Sequence, residues 1–363
     1  QSVVDSFEEA LAAHDQSQDP LLASWHQQAR AAGHDAERWR RLVARIAATV
    51  EQHRENLSPG SPIAALRNGR GDRASLLYHL GRAAGVSTCL VRITPLSRQP
   101  SYGAPDPRDF GLDAVLMRLP GGAHGAASEL WFDTAIDGGL ANFLRPGLRR
   151  RPGLMLGCGA SSKDRRIQIP DLGADRDLRR LQVVVDWHGD GRVLARINDT
   201  LDGAMAALVR SWLRQADDEK RAALLRQLAG PAFPGYELRL EEASPLGDDR
   251  LPLVLRYVAT AAAAPGRRGA LDLGLYPVGL GGIYGRLAGR RTAMRVGHAY
   301  RVEVHVEVRN HGPEMAPPPA TVDVSHPMLR YQRRAQASGQ TLVVERSLDS
   351  QMGVVAPADY PLF

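Results

Sequence analysis

Apolar positions recur every three to four residues through the first quarter of the chain. Trp39, Leu42, Val43, Ile46 and Val50 share one face of a helix that Asp35 caps. Asp19-Pro20 marks the start of a preceding helix and Gly33 its end, because proline fits a first turn and glycine a C-terminal cap. Asp5, with Glu8 three residues on, predicts a further short helix carrying Phe7 and Leu11. The stretch Ser58-Pro59-Gly60-Ser61-Pro62 breaks the periodicity. Leu76, Leu77, Leu80 and Ala84 form another helical face, closed at Gly85.

The pattern then shortens to strands. Cys89 to Ile93, Val115 to Met117 and Leu130 to Phe132 are brief apolar runs, and Pro95 to Asp109 is a long polar loop between the first two. In the second half, Leu181 to Asp186 and Val193 to Ile197 read as a hairpin turning at His188 to Gly191. A helical insert runs from about 201 to 229, with Met205, Leu208, Val209 and Trp212 at helical spacing. Strands follow at Tyr236 to Leu240, Leu253 to Val258, Tyr300 to Val308, Ala320 to Val324 and Thr341 to Val344. Tyr300 to Val308 alternates strictly, which buries one face and wets the other. Repeated short strands with Gly and Pro turns point to a β-sandwich.

Composition narrows the classes. The chain has 363 residues, so two domains are expected. A net charge of +6 is mild for this length and does not by itself argue for a nucleic-acid binder, so no nucleic-acid partner is expected. No apolar run approaches the ~18 residues a membrane span needs. Two cysteines, Cys89 and Cys158, make neither a disulfide scaffold nor a four-cysteine zinc site, and the residues ask for no metal and no cofactor. Between 145 and 180 ten basic residues outnumber four acidic ones, an excess equal to the whole net charge. This stretch reads as a solvated inter-domain segment. Arg149, Arg150, Arg151, Arg165 and Arg166 are its candidate anion-binding patch.

Gly71-Asp72-Arg73-Ala74-Ser75-Leu76-Leu77, then Arg82-Ala83-Ala84-Gly85-Val86 and the strand through Ile93, resembles the core of the transglutaminase-like superfamily. Leu130-Trp131-Phe132-Asp133-Thr134 is similar to that family's strand carrying its aspartate. Val355-Ala356-Pro357-Ala358-Asp359-Tyr360 resembles the closing motif of the β-sandwich that follows in bacterial members. The resemblance implies an α+β chain: a helical N-terminal part packed on a papain/transglutaminase-like antiparallel sheet, then a β-sandwich with a helical insert. The expected domains are residues 1–165 and 166–363. It also implies the C-terminal part of a longer bacterial protein of the periplasm or cell envelope.

The family's site sets a cysteine at a helix N-terminus, where the dipole and an imidazolium favour thiolate, beside a histidine that an aspartate orients. Counting back from Gly85 puts Arg70 at the cysteine position, and matching Gly71-Asp72 puts Arg73 there. A guanidinium stays protonated and is no nucleophile. Ala114, preceded by Asp113, stands at the histidine position, and Asp133 at the aspartate. The chain therefore reads as a pseudoenzyme that binds a protein or peptide. Its groove candidates are Arg70, Arg73, Asp113, Ala114, Trp131 and Asp133, with Tyr102 on the long loop. An arginine at a helix N-terminus calls for a carboxylate partner, so Arg70 or Arg73 is expected to pair with Asp133 or Asp113. The rival readings are an active thiol enzyme using Cys158, His124 and Asp133, and a structural envelope subunit. Cys89 reads as a buried small hydrophobe, Cys158 as a free thiol. Arg70-Gly71-Asp72 spells an integrin-type tripeptide that the fold itself explains.

Overall fold

The computed structural model describes Glu9 and residues 19–52, 61–93, 111–119, 128–136, 140–158, 165–188, 192–247, 251–261, 289–296, 299–310 and 320–360. The expected helix at Asp5, the loop bearing Tyr102, and His124 lie outside these residues. The chain divides into two compact units, residues 1–173 and 174–363.

In the first unit, α1 (Pro20–Ala32) begins as the sequence predicts: Asp19 accepts from the Leu21 amide at 2.8 Å, and Pro20 occupies the first turn. Asp35 caps α2 (Ala36–Thr49), whose Trp39, Leu42, Val43 and Ile46 form the buried face. Within the segment read as a breaker, Ser61 caps a short helix, α3 (Pro62–Asn68). Two-residue strands β1 (Glu51–Gln52) and β2 (Arg70–Gly71) pair in parallel and lead into α4 (Arg73–Ala83). A Cβ at Gly71 would lie 2.6 Å from the Ala65 Cβ, so only glycine lets α3 pack this closely on β2.

The sheet is antiparallel throughout, in the order β5 (Ser128–Asp133), β4 (Gly111–Leu119), β3 (Ser87–Ile93), β6 (Pro152–Leu156), β7 (Arg166–Gln168). Its two faces are distinct. Leu90, Val115, Met117, Leu130 and Phe132 pack with the helices, Leu76, Leu77 and Leu80 of α4 among them. Cys89, Val91, Ala114, Leu116 and Trp131 form a second core on the opposite face with Leu144, Leu148 and Met155. The 145–180 stretch is therefore no solvated linker. It supplies β6 and β7 to this sheet, and the division between units falls after Gly173 rather than after residue 165. Flanking arginines obscure the buried Gly153 and Met155 of β6 and Ile169 just after β7.

The second unit carries one eight-stranded mixed sheet in the order β10 (Glu237–Ala243), β11 (Leu253–Ala261), β9 (Val193–Leu201), β8 (Leu178–Trp187), β13 (Tyr300–Asn310), β16 (Thr341–Ser350), β15 (Leu329–Ser338), β14 (Val322–His326). Only β8 and β13 pair in parallel. The insert forms α5 (Gly203–Gln215) and α6 (Asp218–Ala229), whose Val209, Leu213 and Leu225 pack against Leu181, Ile197, Leu255 and Val304. The helical pair packs on the apolar side of these strands. A ribbon of β12 (Met294–Val296) and β17 (Gly353–Val355) closes the chain, with Tyr360 buried against Met294 and Val355. Overall the architecture is α+β: N-terminal helices on an antiparallel sheet, then a large mixed sheet with a helical pair.

Candidate functional site

Helix α4 starts at Arg73, so this residue, not Arg70, holds the first helical position. Arg70 lies exposed on β2, opposite Glu51. Asp72 is the N-cap: its carboxylate accepts from the Ala74 amide at 3.0 Å and from the Ser75 hydroxyl at 2.8 Å. Its burial removes the Arg70-Gly71-Asp72 tripeptide from any surface role.

Arg73 is only 6% exposed. Its Nε donates to the Val50 carbonyl at 2.5 Å, Nη2 to the Ala47 carbonyl at 2.9 Å, and Nη1 to the Thr134 carbonyl at 3.5 Å. Ala47 and Val50 end α2. A helix leaves its last carbonyls unpaired and carries a partial negative charge there. The cation disfavoured at the start of α4 is thus held by the C-terminus of α2. Three backbone carbonyls, and not Asp133, take up these donors.

Asp133 is bound elsewhere. Its side chain is 1% exposed; Oδ2 accepts from Arg145 Nε at 2.7 Å and from the Arg145 amide at 2.9 Å, and Oδ1 from the Ala135 amide at 3.1 Å. Strand alternation explains why it does not meet Arg73. Asp133 follows Trp131 by two residues and shares its face, away from α4. The same geometry corrects Trp131, which is a 5% exposed core residue and no groove wall.

Ala114 is fully buried and stands directly across the ladder from Asp133. The positions that the resemblance assigns to histidine and aspartate are therefore cross-strand neighbours, with a methyl in place of the imidazole. Asp113 is the extra residue of a bulge, since pairing jumps from Val91 with Ala114 to Arg92 with Leu112. Its side chain lies outside the described ones.

The proposed basic patch does not hold together either. Arg149 is 2% exposed, donates from Nε to the Leu144 carbonyl at 2.6 Å and stacks over Phe143 at 5.0 Å. Arg150 pairs with Asp171, and Arg151 Nε donates to the Arg149 carbonyl at 3.3 Å. Arg165 is half-buried and Arg166 exposed, at the start of β7. A buried guanidinium stacked over an aromatic ring and bonded to a carbonyl serves the core, not an anion.

Two features escaped the residue pattern. In the pattern Arg145 is one cation among ten, yet it is the partner of Asp133. Cys89 and Cys158, far apart in sequence, pack in one core, and the neighbouring Cys158 thiol together with burial pushes the Cys89 thiol well above its ordinary 9.0. Among the described residues, no three His, Cys, Asp or Glu side chains gather as a metal site.

No protein-family model matches the chain, and no curated protein matches its sequence. Among solved structures, the chain is similar to a proposed protease from Parabacteroides distasonis, at 14% identity and a TM-score of 0.51. The match covers 98% of this chain and 55% of that one, so the chain spans about half of the other protein's length. The two share a fold.

Proposed function

We propose that the chain is a catalytically inactive transglutaminase-like protein that serves as a protein- or peptide-binding module. The observation that carries this reading is Arg73. At the helix start where a transglutaminase-like fold would hold its thiol, a buried guanidinium is spent on the carbonyls that end α2. Ala114 faces Asp133 with nothing to accept or donate a proton, and both Asp133 oxygens are already engaged. Nucleophile and general base are then both lacking at these positions.

The binding role draws on a different surface. Met205, Leu208 and Trp212 recur at helical spacing on α5 and are left to solvent, although Val209 and Leu213 of the same helix are buried. Amine incorporation into a glutamine peptide, with an active transglutaminase alongside, tests the inactivity. The binding arm is tested with the chain as bait, comparing wild type with Met205→Glu/Trp212→Glu. A partner lost from the variant supports it. Partners retained in full by a folded variant contradict it.

A further inference from the structure

The chain's two cysteines meet in the first unit. Cys89 lies on β3 with its side chain in the core shared by Val91, Ala114 and Met155, and is fully buried. Cys158 follows β6 by two residues, is half-exposed, and packs against the same core. A regular continuation of β6 would have turned Cys158 to the opposite face, because Met155 is on the Cys89 face and side chains alternate. The turn at Gly157 prevents this. Gly157 has φ +76°, a Cβ there would lie 2.6 Å from the Tyr78 hydroxyl, and its carbonyl accepts from that hydroxyl at 3.0 Å. Only glycine fits both the left-handed backbone and the tyrosine. The chain therefore leaves the strand early and returns Cys158 to the core that holds Cys89, whose strand neighbour Leu90 pairs with Leu156 just before the turn.

We infer that Cys89 and Cys158 form a redox-active dithiol that closes to an intramolecular disulfide by exchange with a small disulfide. The roles follow from access. Cys89 is enclosed and its thiol held protonated by the contact, so the half-exposed Cys158 is the entering sulfur. The Cys158 thiolate attacks one sulfur of the small disulfide. That S–S bond breaks, one thiol leaves, and a mixed disulfide remains on Cys158. Cys89 then gives up its proton and attacks the Cys158 sulfur, and the second thiol leaves. The protein loses two electrons and two protons, and the small disulfide takes them up as two thiols. The new bond ties β3 to the turn after β6.

The test uses oxidised glutathione on the whole reduced chain, followed by acid quench, alkylation and intact mass. The expected product is lighter by two hydrogens, unalkylated and monomeric on a non-reducing gel, with residues 89 and 158 linked in its peptide map. Cys89→Ala, which keeps the pocket apolar, should instead accumulate one glutathione on Cys158. Cys158→Ser should stay unmodified. Wild type that halts with glutathione on Cys158, that crosslinks between chains, or that remains a free dithiol in excess oxidant would overturn the inference. These readings on wild type stand even if a variant fails to fold.

Discussion

Arg145 meets Asp133 twice on one oxygen: through its own amide at 2.9 Å and through its guanidinium Nε at 2.7 Å. The carboxylate is enclosed while the guanidinium is partly in solvent, so the two partners are not equivalent. Removing Asp133 orphans the Ala135 and Arg145 amides, each worth about 1–3 kcal/mol when left unsatisfied in a buried place. Arg145→Ala keeps both amide bonds and loses one charged contact, about 1.5–3 kcal/mol. Urea melts should rank Asp133→Ala as the more damaging, with the double variant less destabilised than the two costs added. Equal, additive losses would mean that the pair is not coupled.

Arg73 makes a second, sharper case. Its fork reaches carbonyls on two elements, Ala47 and Val50 at the end of α2 and Thr134 after β5. Arg73→Ala should cost about 1.5–3 kcal/mol for the charged hydrogen bonds, with further loss from packing. Arg73→Lys should recover only part of this, because a single ammonium cannot span the three acceptors. Full recovery by lysine, read in the same melts, would refute the multi-carbonyl role.

The second unit holds a buried ion pair. Arg179 donates from Nε and Nη2 to the two oxygens of Asp199 at 3.0 and 2.6 Å, and the aspartate is 0% exposed. Asp199→Ala removes both charged hydrogen bonds from a buried guanidinium and should cost about 3–5 kcal/mol. Tyr257 donates to the same carboxylate at a long 3.4 Å, so Tyr257→Phe should cost no more than about 1 kcal/mol. Calorimetry on both variants checks the contrast, which fails if they melt alike.

Alkaline pH probes Cys89. Its folded thiol is held above 9.0 by the neighbouring Cys158 thiol and by burial, so the folded state keeps a proton that the unfolded chain gives up. That contribution is fully present below pH 9 and is lost as pH rises beyond it, with a limiting slope of about 1.4 kcal/mol per pH unit. Reduced wild type should weaken above pH 9 more steeply than Cys89→Ala. Parallel curves would contradict this.

What the residue pattern conveyed was local. Asp19 and Asp35 cap helices where capping chemistry predicts, and the Trp39 to Ile46 stripe is a core face, because both depend on neighbours within a turn. Strand β15 escapes the pattern because Leu329 to Ser338 carries five charged or amide side chains, and Arg333 interrupts the alternation of Leu329, Tyr331 and Ala335. The site was legible as positions but not as partners. Arg73 fell at the helix start and Ala114 opposite Asp133, yet the carbonyls that hold Arg73 come from α2, and the face on which Asp133 lies is set by ladder register. The meeting of Cys89 with Cys158 depends on one glycine turn whose direction no spacing rule records.

Catalytic competence is tested most directly by turnover. The purified, reduced chain is incubated with a glutamine peptide and a labelled amine, and separately with a peptide pool, beside Cys158→Ser and an active transglutaminase. The account predicts label incorporation and cleavage for wild type no higher than for Cys158→Ser, while the active enzyme turns over. Turnover by wild type that Cys158→Ser abolishes would contradict it and make Cys158 the nucleophile of an active enzyme.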